Sequence, residues 1–306
     1  GLWISGLQRK LTLKNLSFPF KVISSLIKAR KIIKEFKPDI AIGVGGYASG
    51  PLLRAANSKG IRTLIQEQNS YPGITNKLLS SKTDRICVAY EGLERWFPKE
   101  KIVLTGNPIR SEVTDIEGKR NQAIEHFGLN PKLPIVFAMG GSLGARSINE
   151  SIAGFAPQFE PKGVQILWQT GKLFIEQAEH ITAAHKNIVT RQFIKEMDLA
   201  YAAADVIISR AGAMSISELC IIGKPAIFIP FPYASEDHQT KNAQALVSDE
   251  AAILIPDSEA RGKLEETLFD LLADSTRRSA MSQNIRRFAK PNATHDIVDQ
   301  VIQLIQ

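Results

Sequence analysis

The chain has 306 residues, long enough for two α/β domains of ordinary size, and its 44% hydrophobic and 23% charged residues are the mix of a globular protein. No apolar run approaches the roughly 20 residues of a membrane-spanning helix. The net charge is +7, and residues 1–37 carry nine Lys or Arg against one acid, Glu35. No nucleic-acid-binding module stands beside that basic stretch, so a nucleic-acid partner is not expected. Cys87 and Cys220 lie far apart in apolar runs and read as buried, inert thiols. The first residue is Gly1, and the opening residues lack the charged start and small-residue cleavage site of a signal peptide.

In chain order, a basic helix comes first. At helical angles Val22, Leu26, Ala29, Ile33 and Phe36 share one stripe, with Lys21, Lys28, Lys31 and Lys34 off it. Two readings are compatible: a core-packed helix with a solvated basic face, or an amphipathic surface that meets anionic lipid headgroups. Strands and helices then alternate through "DIAIGVGG", "SGPLLRAANSKG", "RTLIQEQ", "GITNKLLSSK", "DRICVAY" and "KIVLTGNP". This rhythm predicts a parallel sheet covered by helices. The polar stretch "GNPIRSEVTDIEGKR" reads as a linker. Six further strands, from "PIVFAMGGS" to "AAILIPD", alternate with helices and predict a complete Rossmann-like domain. Two helices, around 261–289 and 293–305, are expected to close the chain, with Pro291 marking a break after which the last crosses back. The expected domains are 1–110 with 291–306 packed back on it, and 111–290. About four strands make a thin sheet, so the first domain is expected to lack its beginning.

Four features sit at strand C-termini, where open α/β sheets bind ligands. "GVGGYASGP", with Gly43, Gly45, Gly46 and Gly50, lets backbone amides approach a phosphate, or is simply a tight turn. In "GGSLGAR", Ser142 can donate to a phosphate or cap the following helix. In "SRAGAMSISE", Ala211 to Ser215 open a helix that suits a diphosphate, and Glu218, one turn in, can accept both hydroxyls of a ribose or merely complement the helix dipole. In "PFPYASEDHQTKNA", Asp237, His238, Gln239 and Asn242 suit sugar hydroxyls, or form a solvated loop and cap. No Asp-x-Asp, H-E-x-x-H, Walker A or cysteine-based zinc spacing occurs, and the five histidines show no ligand spacing. The residues alone reach a two-domain α/β protein that binds a phosphorylated ligand.

The loops "GVGGYASGP", "QEQNSYPGITNK", "TGNPIR", "GGSLGAR", "SRAGAMSISE" and "DHQTKNA", in this order, resemble the MurG family of UDP-N-acetylglucosamine:undecaprenyl-diphospho-muramoyl-pentapeptide N-acetylglucosaminyltransferases. The resemblance runs nearly end to end. It implies a GT-B fold, two Rossmann-like domains with a cleft between them, here with the first domain truncated. It implies peptidoglycan synthesis: transfer of GlcNAc from UDP-GlcNAc to the muramoyl 4-hydroxyl of lipid I, with inversion, at the cytoplasmic face of the cell membrane and on its anionic surface. No metal and no cofactor are implied. By motif, Asn69 would contact the GlcNAc, while Arg110 and Ser142 would face the diphosphate. Ile194 would meet the uracil by its backbone. Ala213, Met214, Ser215, Ile216, Ser217 and Glu218 would hold diphosphate and ribose, with Glu218 on the ribose hydroxyls. Gln239 would reach the sugar with Asn242 nearby, and Gly45, Gly46, Tyr47 and Ser49 would form the acceptor-side loop. The family's G-G-T-G-G-H loop, with its proposed general-base His, has no counterpart in this sequence, so no catalytic residue is assigned. The alternatives are another GT-B lipid glycosyltransferase, such as a diacylglycerol glucosyltransferase, and a non-catalytic nucleotide-sugar-binding subunit.

Overall fold

Short runs of branched and aromatic residues bounded by Gly, Pro or polar turns fold here as buried parallel strands, and the amphipathic segments between them as covering helices. The computed structural model describes residues 18–306, so the basic residues before Phe18 lie outside the described residues. In chain order the elements begin with α1 (Phe18–Phe36), β1 (Ile40–Gly43), α2 (Gly46–Asn57), β2 (Arg62–Glu67), α3 (Ile74–Leu79), β3 (Arg85–Val88) and β4 (Ile102–Leu104). After the linker come α4 (Ser111–Thr114), α5 (Arg120–Phe127), β5 (Ile135–Met139), α6 (Arg146–Phe155), β6 (Gln165–Gln169), α7 (Ile175–Thr182), β7 (Ile188–Arg191) and α8 (Met197–Ala203). The chain continues with β8 (Val206–Ser209), α9 (Ala213–Ile222), β9 (Ala226–Phe228), α10 (His238–Val247), β10 (Ile253–Leu254), α11 (Ala260–Ala273), α12 (Ser275–Arg286) and α13 (Ala293–Ile305).

These elements form two compact units. One comprises the described residues through Pro108 joined by Asn292–Gln306, and the other runs from Ile109 to Pro291. Arg110 therefore sits at the start of the second unit.

The first unit has a four-stranded parallel sheet in the order β1-β2-β3-β4. Its core gathers Ala29 and Ile33 of α1, Leu53 of α2, Ile65 of β2, Ile86 and Val88 of β3, and Phe97. Helix α1 packs on α2, and α13 packs on β1 and β2. The inward stripe of α1 differs from the helical-wheel expectation: Ser25, Ala29 and Ile33 are buried, whereas Phe36, expected in the stripe, is 78% exposed at the helix end. Phe20, Ile23 and Ile27 are exposed as well, so the outer face of α1 is both basic and apolar.

The second unit holds a six-stranded parallel sheet in the order β10-β9-β8-β5-β6-β7, the doubly wound Rossmann order. Its core packs Val136, Ala138, Ile166, Trp168, Val206 and Ile208 of the sheet against Ile148 and Ile152 of α6 and Leu264 and Leu268 of α11. The stretch 261–289, expected as one helix, is two. Asp274 ends α11 and caps α12, its carboxylate accepting the Arg277 N–H at 2.8 Å. Burial pushes the Cys87 thiol up to about 11 and Cys220 up to about 12, which keeps both as protonated, unreactive core groups.

Two chain segments in this sheet approach backbone to backbone. Gly144, after β5, has φ +82°, and a Cβ there would lie 2.1 Å from the Thr170 carbonyl oxygen after β6. Asn149 of α6 binds the same carbonyl at 2.8 Å and accepts the Trp168 indole N–H at 3.0 Å, so the approach is fixed from both sides. Gly144→Ala is expected to destabilise the protein by at least about 2 kcal/mol, read as a lower urea midpoint, because the strained φ and the backbone clash add.

Candidate functional site

Strand order reverses between β5 and β8, and ligands of open α/β sheets bind outside the strand C-termini at such a switch point. The loop after β5 carries Gly140, Gly141 and Ser142, and the loop after β8 carries Arg210, Ala211 and Gly212. Ser142 is exposed, and the residue that caps α6 is Ala145, which lacks a side-chain acceptor. The capping reading of Ser142 is thus excluded. Gly212 caps α9 in an extended conformation, again with no side chain over the helix start. The amides of Ala213, Met214 and Ser215 therefore open a ten-residue helix that has no acidic residue in its first turn, an arrangement suited to phosphate. Ile216 is buried, and the Ser217 hydroxyl donates to the Ala213 carbonyl at 2.9 Å.

Glu218 stands in the second turn of α9. Its Oε2 accepts the Tyr201 hydroxyl at 2.6 Å, and none of the described residues engages Oε1. Burial raises the Glu218 carboxyl above its ordinary range, while the Tyr201 hydrogen bond and the positive charge of Arg110 pull it back down. Tyr201 is wholly buried, and burial together with the Glu218 charge pushes its phenol well above the usual value. A single carboxylate so held can accept two adjacent hydroxyls.

The other expected residues divide. Ile194, after β7, is 2% exposed and its N–H donates to Gln169 Oε1 at 2.8 Å, so its backbone offers a ligand only the carbonyl. Gln169 Nε2 reaches the Gly141 carbonyl at 3.3 Å and so couples that position to the glycine loop. Gln239 of α10 accepts the Phe231 N–H through Oε1 at 2.9 Å, leaving Nε2 as its donor. Asn242, expected beside it, is wholly buried. Asp237 accepts the Thr240 hydroxyl at 2.7 Å, and His238 Nδ1 donates to the Ser235 carbonyl at 2.7 Å, so both shape the start of α10.

One cation organises this edge. Arg210 Nη1 donates to the carbonyls of Ile229 and Pro230 at 3.0 Å and to Asp257 at 2.5 Å, and Nη2 contacts the Ser147 hydroxyl at 3.1 Å. Ser147 also donates to Asp257.

In the first unit, Gly45 (φ +87°) and Gly46 (φ +75°) turn the chain from β1 into α2, and the Ser49 hydroxyl closes the turn on the Gly45 carbonyl at 2.5 Å. Tyr47 projects, exposed, from the same turn. Asn69 follows β2. Its backbone N–H and its side-chain amide both donate to Glu67, at 3.1 and 3.3 Å. Glu67, 2% exposed, also accepts the Gly73 N–H at 3.2 Å and the Asn76 amide at 2.7 Å, so one buried carboxylate sets the whole 69–76 loop. Sequence reasoning missed Glu67, Gln169, Tyr201 and Arg210. Glu67 and Arg210 stood inside the quoted motifs as charged residues among apolar strand ends, a signal that could have found them; Tyr201 carried none. Among the described residues no cluster of three or more His, Cys, Asp or Glu could hold a metal ion.

Known proteins match this architecture throughout. The glycosyltransferase family 28 C-terminal domain matches residues 135–300, and the family 28 N-terminal domain matches residues 1–88. A UDP-N-acetylglucosamine--N-acetylmuramyl-(pentapeptide) pyrophosphoryl-undecaprenol N-acetylglucosamine transferase of Flavobacterium psychrophilum is 52% identical over 306 residues, covering 100% of this chain and 83% of its own length. The protein of the same name from Cytophaga hutchinsonii is 53% identical over 305 residues, covering 100% of this chain and 82% of its own. Among solved structures, Acinetobacter baumannii MurG superposes with a TM-score of 0.77 at 33% identity, over 93% of this chain and 79% of that one. The UDP co-structure of S. aureus MnaA shares the fold at 13% identity, with a TM-score of 0.69 over 97% of this chain and 82% of that one.

Arg210→Ala is expected to cost about 2–3 kcal/mol in urea denaturation, because it removes the donor of two buried strand-end carbonyls and leaves the Asp257 carboxylate with the Ser147 hydroxyl.

Proposed function

The chain belongs to glycosyltransferase family 28, among the N-acetylglucosamine transferases named above, and from that membership we propose that it transfers GlcNAc from UDP-GlcNAc to the muramoyl 4-hydroxyl of lipid I, giving lipid II. The acceptor hydroxyl attacks C1 of the sugar, the C1–O bond to the diphosphate breaks with inversion, the hydroxyl proton passes to a base, and UDP leaves. The observation that carries this reading is the Rossmann switch point of the second unit, where an uncapped helix start and the half-buried carboxylate of Glu218 lie one turn apart on α9.

The second unit, Ile109–Pro291, is assigned to the donor. The amides from Ala213 to Ser215, with Ser142 and Arg110, receive the diphosphate and stabilise the charge that grows on it as it leaves. Glu218 receives the ribose hydroxyls, the Ile194 carbonyl accepts from the uracil ring N–H, and Gln239 donates to the sugar. The first unit is assigned to the acceptor, with Gly45, Gly46, Tyr47 and Ser49 on its loop and Asn69 offering its carboxamide to sugar hydroxyls.

No described helix is long and apolar enough to cross a membrane. The exposed face of α1, with Phe20, Ile23 and Ile27 beside Lys28 and Lys31, is assigned to the anionic inner-leaflet surface, where lipid I is presented.

Calorimetric titration tests the donor site. UDP-GlcNAc should bind in preference to UDP-glucose, and Glu218→Ala should weaken it by about 1.5–3 kcal/mol. Equal binding of the two sugar nucleotides removes GlcNAc from the proposal. Co-sedimentation with vesicles should rise with anionic lipid and fall with salt; binding indifferent to both overturns the membrane assignment.

A further inference from the structure

The hydroxyl of Tyr201 is a buried polar group to which no substrate contact is assigned, yet it makes a short bond to the one carboxylate of the proposed donor seat. Its ring is fixed from below. Phe137 of β5 meets it edge to face at 5.9 Å between centroids, and Met139 Sδ lies 3.9 Å from the hydroxyl. Tyr201 is therefore held by the strand that ends in the glycine loop, and it hands that position to Glu218 on the neighbouring helix.

We infer that Tyr201 is a positioning residue for nucleoside recognition: by holding Oε2 it keeps the Glu218 carboxylate ionised and turns Oε1 toward the vicinal hydroxyls of a ribose. This deepens the proposed donor seat and rests on it. A carboxylate accepts from two hydroxyls only when ionised, and burial alone works against ionisation. Tyr201 supplies the compensating donor and, with its own phenol pushed well above the usual value, does not lose its proton at physiological pH.

The neighbours of α9 leave few other groups to act on Glu218. Arg110 at the start of α4 is the one charge that lowers it, and Glu112 of α4 is exposed. On α10, Lys241 donates to the Glu236 carbonyl and His238 to the Ser235 carbonyl. Arg286 of α12 lies at the far end of α9, against Ile222 and Gly223. The sign follows. Affinity for a ribose is present above the Glu218 pKa and is lost as pH falls through it. Removing the Tyr201 hydroxyl raises that pKa and moves the loss to higher pH.

The test is calorimetry of UDP and of 2′,3′-dideoxy-UDP against the full chain, from mildly acidic to mildly alkaline pH, for the wild type, Tyr201→Phe and Glu218→Gln. Tyr201→Phe keeps the ring and its packing, and a thermal melt checks that the fold is retained. It should weaken UDP about tenfold at neutral pH, leave dideoxy-UDP unchanged, and move the acid limb of UDP binding up by about one pH unit. An unchanged UDP affinity and acid limb in Tyr201→Phe, alongside a loss in Glu218→Gln, overturns the inference and leaves the donor seat standing. Equal weakening of both ligands also overturns it, since that marks general loosening. No loss in Glu218→Gln removes the donor seat itself, and the inference with it.

Discussion

The guanidinium of Arg210 joins segments that the chain itself brings together only through long detours. Ser147 precedes it by 63 residues and Asp257 follows it by 47, yet both meet it with two carbonyls at the end of β9. A parallel sheet delivers every strand C-terminus to one edge, but it does not fix the loops there, because each loop leads away into its own helix. A planar fork with five fixed donors can do so where a lysine cannot. With that fork in place, the first turn of α6, the turn before α9 and the segment after β9 form one rigid rim. The glycine approach at Gly144 and the carboxamide of Gln169 extend the same rim across β6 and β7.

On that rim the groups proposed to bind are mainly neutral. Backbone amides and hydroxyls keep their dipoles without a desolvation cost comparable to that of buried ions, so they can be oriented before any ligand arrives. Glu218 is the exception, a half-buried carboxylate, and it carries its own support in the form of a phenol. The first unit solves a similar problem differently. Glu67 is more deeply buried than Glu218 and accepts four hydrogen bonds from its own following loop, so it is spent wholly on shape. The same side chain thus serves as scaffold in one unit and is proposed as a recognition group in the other. The difference lies in how many of its lone pairs the protein has already filled.

Much of this was legible in the sequence. "PIVFAM" and "PAIFIPF" announced buried parallel strands, because strands covered on both faces read as continuous apolar runs. The turn from Gly212 into α9 was legible because small residues there serve backbone geometry, which is local. What failed was also physical. The break at Asp274 was hidden in a continuous helical pattern, since a capping Asp looks like any surface acid until its carboxylate is seen on the Arg277 amide. Phe36 fell on the calculated stripe of α1, but a wheel assumes that the core extends the full length of the helix, and here it stops before the last turn. Ser142 had two readings, and only the placement of Ala145 at the helix start separated them. Tyr201 and Gln169 were invisible because their partners lie 17 and 25 residues away, and no spacing rule connects a tyrosine on one helix to an acid on the next.

The return of α13 to the first unit bears on how the protein is made. Ribosomes deliver a chain in order, and domains generally fold as their residues emerge. Here β1 and β2 precede the entire second unit, whereas the helix that packs on them follows it. Roughly two hundred residues, at the usual pace of about 5–20 residues per second, must be added before that helix is available, so β1 and β2 wait ten seconds or longer for it. The second unit, contiguous in sequence, has no such delay and can close first. During synthesis the nascent first sheet is the vulnerable part, and it is there that a chaperone would find apolar strand faces to hold.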